Sequence, residues 1–249
     1  MSWLLLCAGG VVWAGALEDA ASANARGRYA AELKEASAAN ARGDYATELR
    51  ITKPLANKGD PYAQFNLGLM YSQGTGLAQS DKEAVKWFRL AAAQGHASAQ
   101  LELGYAYEKG QSVTQDYSAA VKWFRSAAEN GLAEAQHNLG VMYFQGRGVA
   151  QSDAEAVKWY RLAAAQGEAS AQYNLGLMYG NGRGVSKDYM RAFMWFSLAS
   201  TSDILATASV IKSAVKDREL VSKRMTPQQI AEAQKLTREC TGRKLKGCD

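Results

Sequence analysis

Three sets of residues have types and spacing that could support chemistry. Ser209-Val-Ile-Lys212 and Ser213-Ala-Val-Lys216 each place a lysine three residues after a serine, a spacing at which an amine can activate a hydroxyl for attack. That chemistry also needs S-D-N and K-T-G companions, and the chain has neither. A segment rich in Ser and Lys yields the spacing easily. The two histidines, His96 and His137, are isolated, and there is no HExxH, GxSxG, phosphate-binding or dinucleotide-binding motif. Cys240 and Cys248 form the third set. Two cysteines without a nearby histidine make a poor zinc site, so a disulfide or two free thiols remain open. The sequence therefore assigns no catalytic residue, no metal and no cofactor.

The elements that carry these residues are helical. The chain has 249 residues, is 47% hydrophobic and has only three prolines, so a large core and long uninterrupted helices are both available. Self-similarity is the dominant signal. AQFNLGLMYSQG (63–74) returns at 99–110, 135–146 and 171–182, and EAVKWFRLAAAQG (83–95) returns at 119–131 and 155–167, with a looser copy at 191–200. Trp87, Trp123, Trp159 and Trp195 recur every 36 residues, as do Gly68, Gly104, Gly140 and Gly176.

Each unit reads as two helices. In the second, Ala84, Trp87, Phe88, Ala91 and Ala92 share one face, with Lys82, Lys86 and Arg89 opposite. Ser80, Asp116, Ser152 and Asp188 are placed to cap it, and Glu83 and Glu155 are placed to complete capping boxes. Gly95, Gly131 and Gly167 mark its end. The first helix ends at Gly74, Gly110, Gly146 or Gly182. A second turn glycine follows at 76, 148 and 184, but Ser112 replaces it once, so that turn is expected to differ. A glycine inside each first helix costs about 1 kcal/mol relative to alanine, which points to close approach of the paired tryptophan.

The pattern AQxNLGxMYxxGxGVxxDxxxAVKWYRxAAxQG resembles the Sel-one-like repeat, a relative of the tetratricopeptide repeat. The resemblance implies an all-α, right-handed solenoid of stacked antiparallel helix pairs, with four repeats over 59–203. Capping helices are expected over 17–58 and 204–249, the last led by Thr226 and Pro227. Residues 1–16 read as an export signal: Leu4 to Trp13 is apolar and Ala14-Gly15-Ala16 is small, although no Lys or Arg precedes them. Removing that segment takes Cys7 and leaves the pair Cys240 and Cys248, which favours their disulfide in an exported, periplasmic or secreted bacterial protein.

The resemblance also implies a concave surface lined by the first helices. The candidate binding residues are Tyr62, Phe65, Leu69, Gln73, Leu101, Tyr105, Lys109, His137, Val141, Phe144, Tyr173, Leu177 and Asn181. They vary between copies whose other positions are nearly fixed. Asn66, Asn138 and Asn174 are expected to bond a neighbouring repeat's backbone instead. The expected partner is a protein or peptide, held by a monomer without stable membrane insertion after processing. A cell-wall glycan is an alternative ligand. Some cysteine-rich members of the family it resembles are linked with β-lactam binding or hydrolysis, so a weak β-lactam-binding or hydrolysing enzyme is a further alternative, against which residues 17–239 contain no cysteine. Residues 212–249 carry ten Lys or Arg against five acids, a surplus of five that equals the whole chain's net charge. The two signs are interleaved and stacking aromatics are lacking, so nucleic acid is not the expected partner.

Overall fold

The computed structural model describes residues 29–201, 208–245 and 247–248; the expected export signal lies outside them. Every regular element among the described residues is helical. They are α1 (29–41), α2 (Tyr45–Asn57), α3 (Pro61–Gln73), α4 (Asp81–Ala93), α5 (Ala97–Lys109), α6 (Tyr117–Glu129), α7 (Ala133–Gln145), α8 (Asp153–Ala164), α9 (Ala169–Asn181), α10 (Tyr189–Ser200), α11 (Ala208–Ser222) and α12 (Pro227–Gly242). The chain divides into two compact units, one ending at Ala99 and the other starting at Gln100.

The caps fall where the sequence puts them. Ser80, Asp116, Ser152 and Asp188 each accept a bond from the backbone N–H three residues on, at 3.3, 3.0, 3.2 and 3.0 Å. The capping boxes do not form, because the N–H they need is already used. Ser80 N–H donates to the carbonyl of Tyr71 (2.9 Å) and Ser152 N–H to that of Tyr143 (3.0 Å). Glu83 and Glu155 turn outward to Lys86 and Lys158. A full box forms at α12, between Thr226 and Gln229. The turn at Ser112 does not differ either. Ser112 takes φ 56°, the left-handed conformation of Gly76, Gly148 and Gly184, and so carries a side chain where the other turns have none.

In the second unit the core is built from Phe124, Tyr160, Trp195 and Phe196 over Leu139, Met142, Leu175 and Met178. The first unit packs Leu55, Ala63, Leu67 and Met70, with Trp87 partly buried against them. The glycine within each first helix makes room for a ring, but not the tryptophan's. A Cβ on Gly68, Gly104, Gly140 or Gly176 would lie 2.5, 2.4, 2.6 or 2.5 Å from the aromatic one residue later: Phe88, Phe124, Tyr160 or Phe196. The tryptophans are half-buried at Trp87 and Trp123 and buried at Trp159 and Trp195.

A repeated glutamine locks successive elements. Gln64, Gln136 and Gln172 are buried and donate to the carbonyls of Ala56, Ala128 and Ala164 (3.3, 3.1 and 3.3 Å). Gln94 and Gln166 close the joint by donating to Gln64 and Gln136, both at 2.8 Å. At the C-terminus, Cys240 is fully buried in the second unit's core and disulfide-bonded to Cys248, with Cα atoms 5.3 Å apart. Bonded sulfurs have no thiolate to offer zinc.

Candidate functional site

In the second unit, the outward positions of the first helices are joined by side-chain bonds from one repeat to the next. Tyr105 on α5 donates its hydroxyl to Glu134 Oε1 (2.7 Å) and accepts from Asn138 Nδ2 (2.6 Å), both on α7. His137 Nε2 on α7 lies 3.1 Å from Asn174 Nδ2 on α9. Tyr173 on α9 donates to Asp217 Oδ2 on α11 (2.8 Å). Asn138 and Asn174 thus bond side chains of the preceding repeat and not its backbone, which the glutamines already hold. Three of the expected binding aromatics are therefore tethered rings, anchored at the polar tip with the rest of the ring half-buried.

Around them, Val141, Phe144 and Leu177 are half-buried and Lys109 and Asn181 are exposed. Lys109 Nζ lies 5.2 Å from the Tyr105 ring centre, and the Arg183 guanidinium lies 4.2 Å from that of Phe144. Leu101 departs from expectation: at 6% exposure it belongs to the core, because leucine is too short to reach the surface that Tyr173 reaches from the same repeat position. A cavity of about 150 Å³ opens between α9, α10 and α11. Leu177, Phe196 and Leu220 line it, with Asn181, Asp217 and Arg224 as its polar groups. Asp217 and the glutamine joint were not foreseen. Four glutamines in strict register were the available signal for the joint; nothing in the sequence pointed to Asp217.

In the first unit, Phe65 stacks on His96 at 4.6 Å and Tyr62, 60% exposed, meets the same ring edge-on. Leu69 and Gln73 border a separate cavity between α1, α2 and α3. Both S-x-x-K spacings fall on α11. Lys212 and Lys216 are exposed on α11, and Ser213 hydrogen-bonds the Tyr173 hydroxyl.

Burial sets the electrostatics. It holds the Tyr105 phenol well above its ordinary range, helped by donation to Glu134, and pushes Tyr173 up to about 12, helped by Asp217. Burial raises the Glu102 carboxyl, with Glu134 adding to the effect and Lys109 opposing it. It lowers both His96 and His137, against the attraction of Asp60 and Glu168 respectively. For a histidine lowered in the fold, the unfolded chain takes up protons first. Stability is full above the ordinary histidine range near pH 6.5 and falls as the solution is acidified below it. The raised Glu102 acts in the opposite direction. Melting temperature is expected to drop between pH 7 and 5, and His137→Gln should reduce that drop. An unchanged drop in the variant would place its origin elsewhere.

The Sel1 repeat family pattern matches residues 61–96, 97–132, 133–168 and 169–203, more than half of the chain. The chain belongs to the Sel1 repeat family. Its fold is accordingly a helical repeat solenoid, as in two solved relatives. A Sel1 repeat protein from Oxalobacter formigenes is 32% identical, with 78% of each chain covered and a TM-score of 0.64. A protective antigen present in uropathogenic Escherichia coli strains, displaying an SLR fold, is 30% identical with a TM-score of 0.52. The alignment covers 78% of this Sel1 repeat chain but 48% of the antigen, about half of its length. No curated protein matches the chain. Sel1 repeats are generally protein–protein interaction modules, and proteins built from them are generally non-enzymatic scaffolds. No described helix is long and apolar enough to cross a membrane.

Proposed function

We propose that this Sel1 repeat protein is an adaptor of the bacterial cell envelope that holds an extended or helical segment of a partner protein. The segment lies along the outward face of α5, α7 and α9 and ends in the cavity between α9, α10 and α11. The observation that carries this reading is the tethering of Tyr105, His137 and Tyr173. Rings fixed at their tips lose little further freedom on binding and still present apolar area, which is what interface anchors need. The half-exposed positions also change between copies while the buried glutamine, leucine and glycine beside them do not. The Cys240–Cys248 disulfide supports an oxidising compartment, in keeping with export.

The test leaves the tethers intact. Phe144→Ala and Leu177→Glu, combined, are compared with the unaltered chain in capture from envelope extract and then by titration against the captured partner. Losing central anchors of this kind is expected to weaken binding by about 30-fold or more, equivalent to 2 kcal/mol. Equal affinity in a variant with unchanged circular dichroism would move the interface off this face.

A further inference from the structure

The cavity between α1, α2 and α3 has a volume of about 190 Å³ and contains a feature the solenoid does not require. Glu48 on α2 lines it at 5% exposure. Among the described residues its carboxylate receives one bond, from Asn40 Nδ2 on α1 (2.9 Å), and no lysine or arginine forms an ion pair with it. A buried carboxylate without a cation is costly, and its place in the first turn of α2 offsets only a small part of that cost.

Other polar groups at the cavity have unused hydrogen-bonding capacity. Thr75 Oγ1 is buried at the cavity wall with no partner among the described residues. Asn66 on α3 stands at the repeat position of Asn138 and Asn174, yet no described side chain meets it as Tyr105 and His137 meet them. The Glu48 carboxylate and the side-chain oxygens of Ser37, Asn66 and Thr75 can all accept. Leu69 and Met70 supply an apolar wall beside them.

We propose that this cavity binds a primary alkylammonium group, with Glu48 as its counter-charge. The group is the lysine side chain of a bound peptide or a free alkylamine. An ammonium brings three donors, which the Glu48 carboxylate and the neighbouring side-chain oxygens can accept, and its methylene stem suits Leu69 and Met70. A divalent cation fits less well, since it calls for a larger set of oxygen ligands with more charge than one carboxylate. The assignment does not depend on the adaptor reading, because its probes are small and need no partner protein.

The test is calorimetric titration of the chain with three probes. They are a doubly capped Gly-Gly-Lys-Gly-Gly peptide, the same peptide with norleucine for lysine, and n-butylammonium chloride. The lysine peptide is expected to bind at least about tenfold more tightly than the norleucine peptide, as a charge-assisted hydrogen bond implies. Glu48→Gln should abolish that preference without lowering the melting temperature. Thr75→Val should weaken binding while leaving stability unchanged or raised, because the hydroxyl it removes has no partner. Binding of butylammonium without the peptide would support the ammonium site and assign it to free amines. Absence of binding by both, or an undiminished lysine preference in a folded Glu48→Gln chain, would overturn the proposal.

Discussion

Gly148→Ala is expected to destabilise the second unit by about 3 kcal/mol. About 1 kcal/mol or slightly more comes from placing a side chain at φ 68°, the left-handed region. The larger part is steric. A Cβ at residue 148 would lie 2.2 Å from the carbonyl oxygen of Tyr117 and 2.3 Å from its carbon, both backbone atoms that cannot rotate away. Forcing such a contact costs about 1 to 3 kcal/mol. Urea denaturation followed by tryptophan fluorescence would read the loss. Ser112 separates the two contributions, since it already occupies the equivalent turn at φ 56°. Ser112→Gly should stabilise by about 0.5 to 1 kcal/mol, the conformational part alone less the added chain entropy. A Gly148→Ala cost no larger than that would mean the turn does not press on the backbone of α6.

Gly104→Ala is expected to cost about 2 kcal/mol, even though alanine is the better helix former. The exchange gains about 1 kcal/mol in helix propensity. Against that, the new methyl would sit 2.4 Å from two ring atoms of the fully buried Phe124, overpacking worth about 3 kcal/mol. The decisive measurement is a double-mutant cycle. Phe124→Ala alone should cost about 3 to 5 kcal/mol, and adding Gly104→Ala to it should then stabilise by up to about 1 kcal/mol. The sign of one substitution would reverse with the identity of one ring. An equal cost in both backgrounds would show that the glycine serves some other purpose than room for Phe124.

Much of the architecture was legible because it is local and repeated. The caps at Ser80, Asp116, Ser152 and Asp188, the αL glycines and the helix pair all follow from short-range rules copied four times. What escaped depends on direction in space. Sequence periodicity places Trp123 and Phe124 on nearly the same face, and only packing decides which ring fills the space above Gly104. Glu83 had the right spacing for a capping box, but the competing carbonyl of Tyr71 belongs to another helix. Leu101 shares a repeat position with Tyr173, and side-chain length alone puts one inside and the other at the surface. Glu48 sits in DYATELR, a stretch that reads as an ordinary solvated first turn; its burial comes from α1 and α3 folding over it.

The asparagine joint bears on how such a chain can evolve. Asn138 reaches a phenol 33 residues earlier, while Asn174 reaches an imidazole 37 residues earlier, so one amide accepts rings of different chemistry from either of two consecutive turns. A codon change at the half-buried ring therefore alters the recognition surface without dismantling the glutamine seam beneath it. Copy number is similarly free. Excising 133–168 by recombination would bring Asn174 to the Tyr105 hydroxyl in place of Asn138 and forfeit only the Glu134 acceptor, with Ser170 arriving there. Removing or adding a 36-residue unit therefore keeps the remaining repeats in register across the seam.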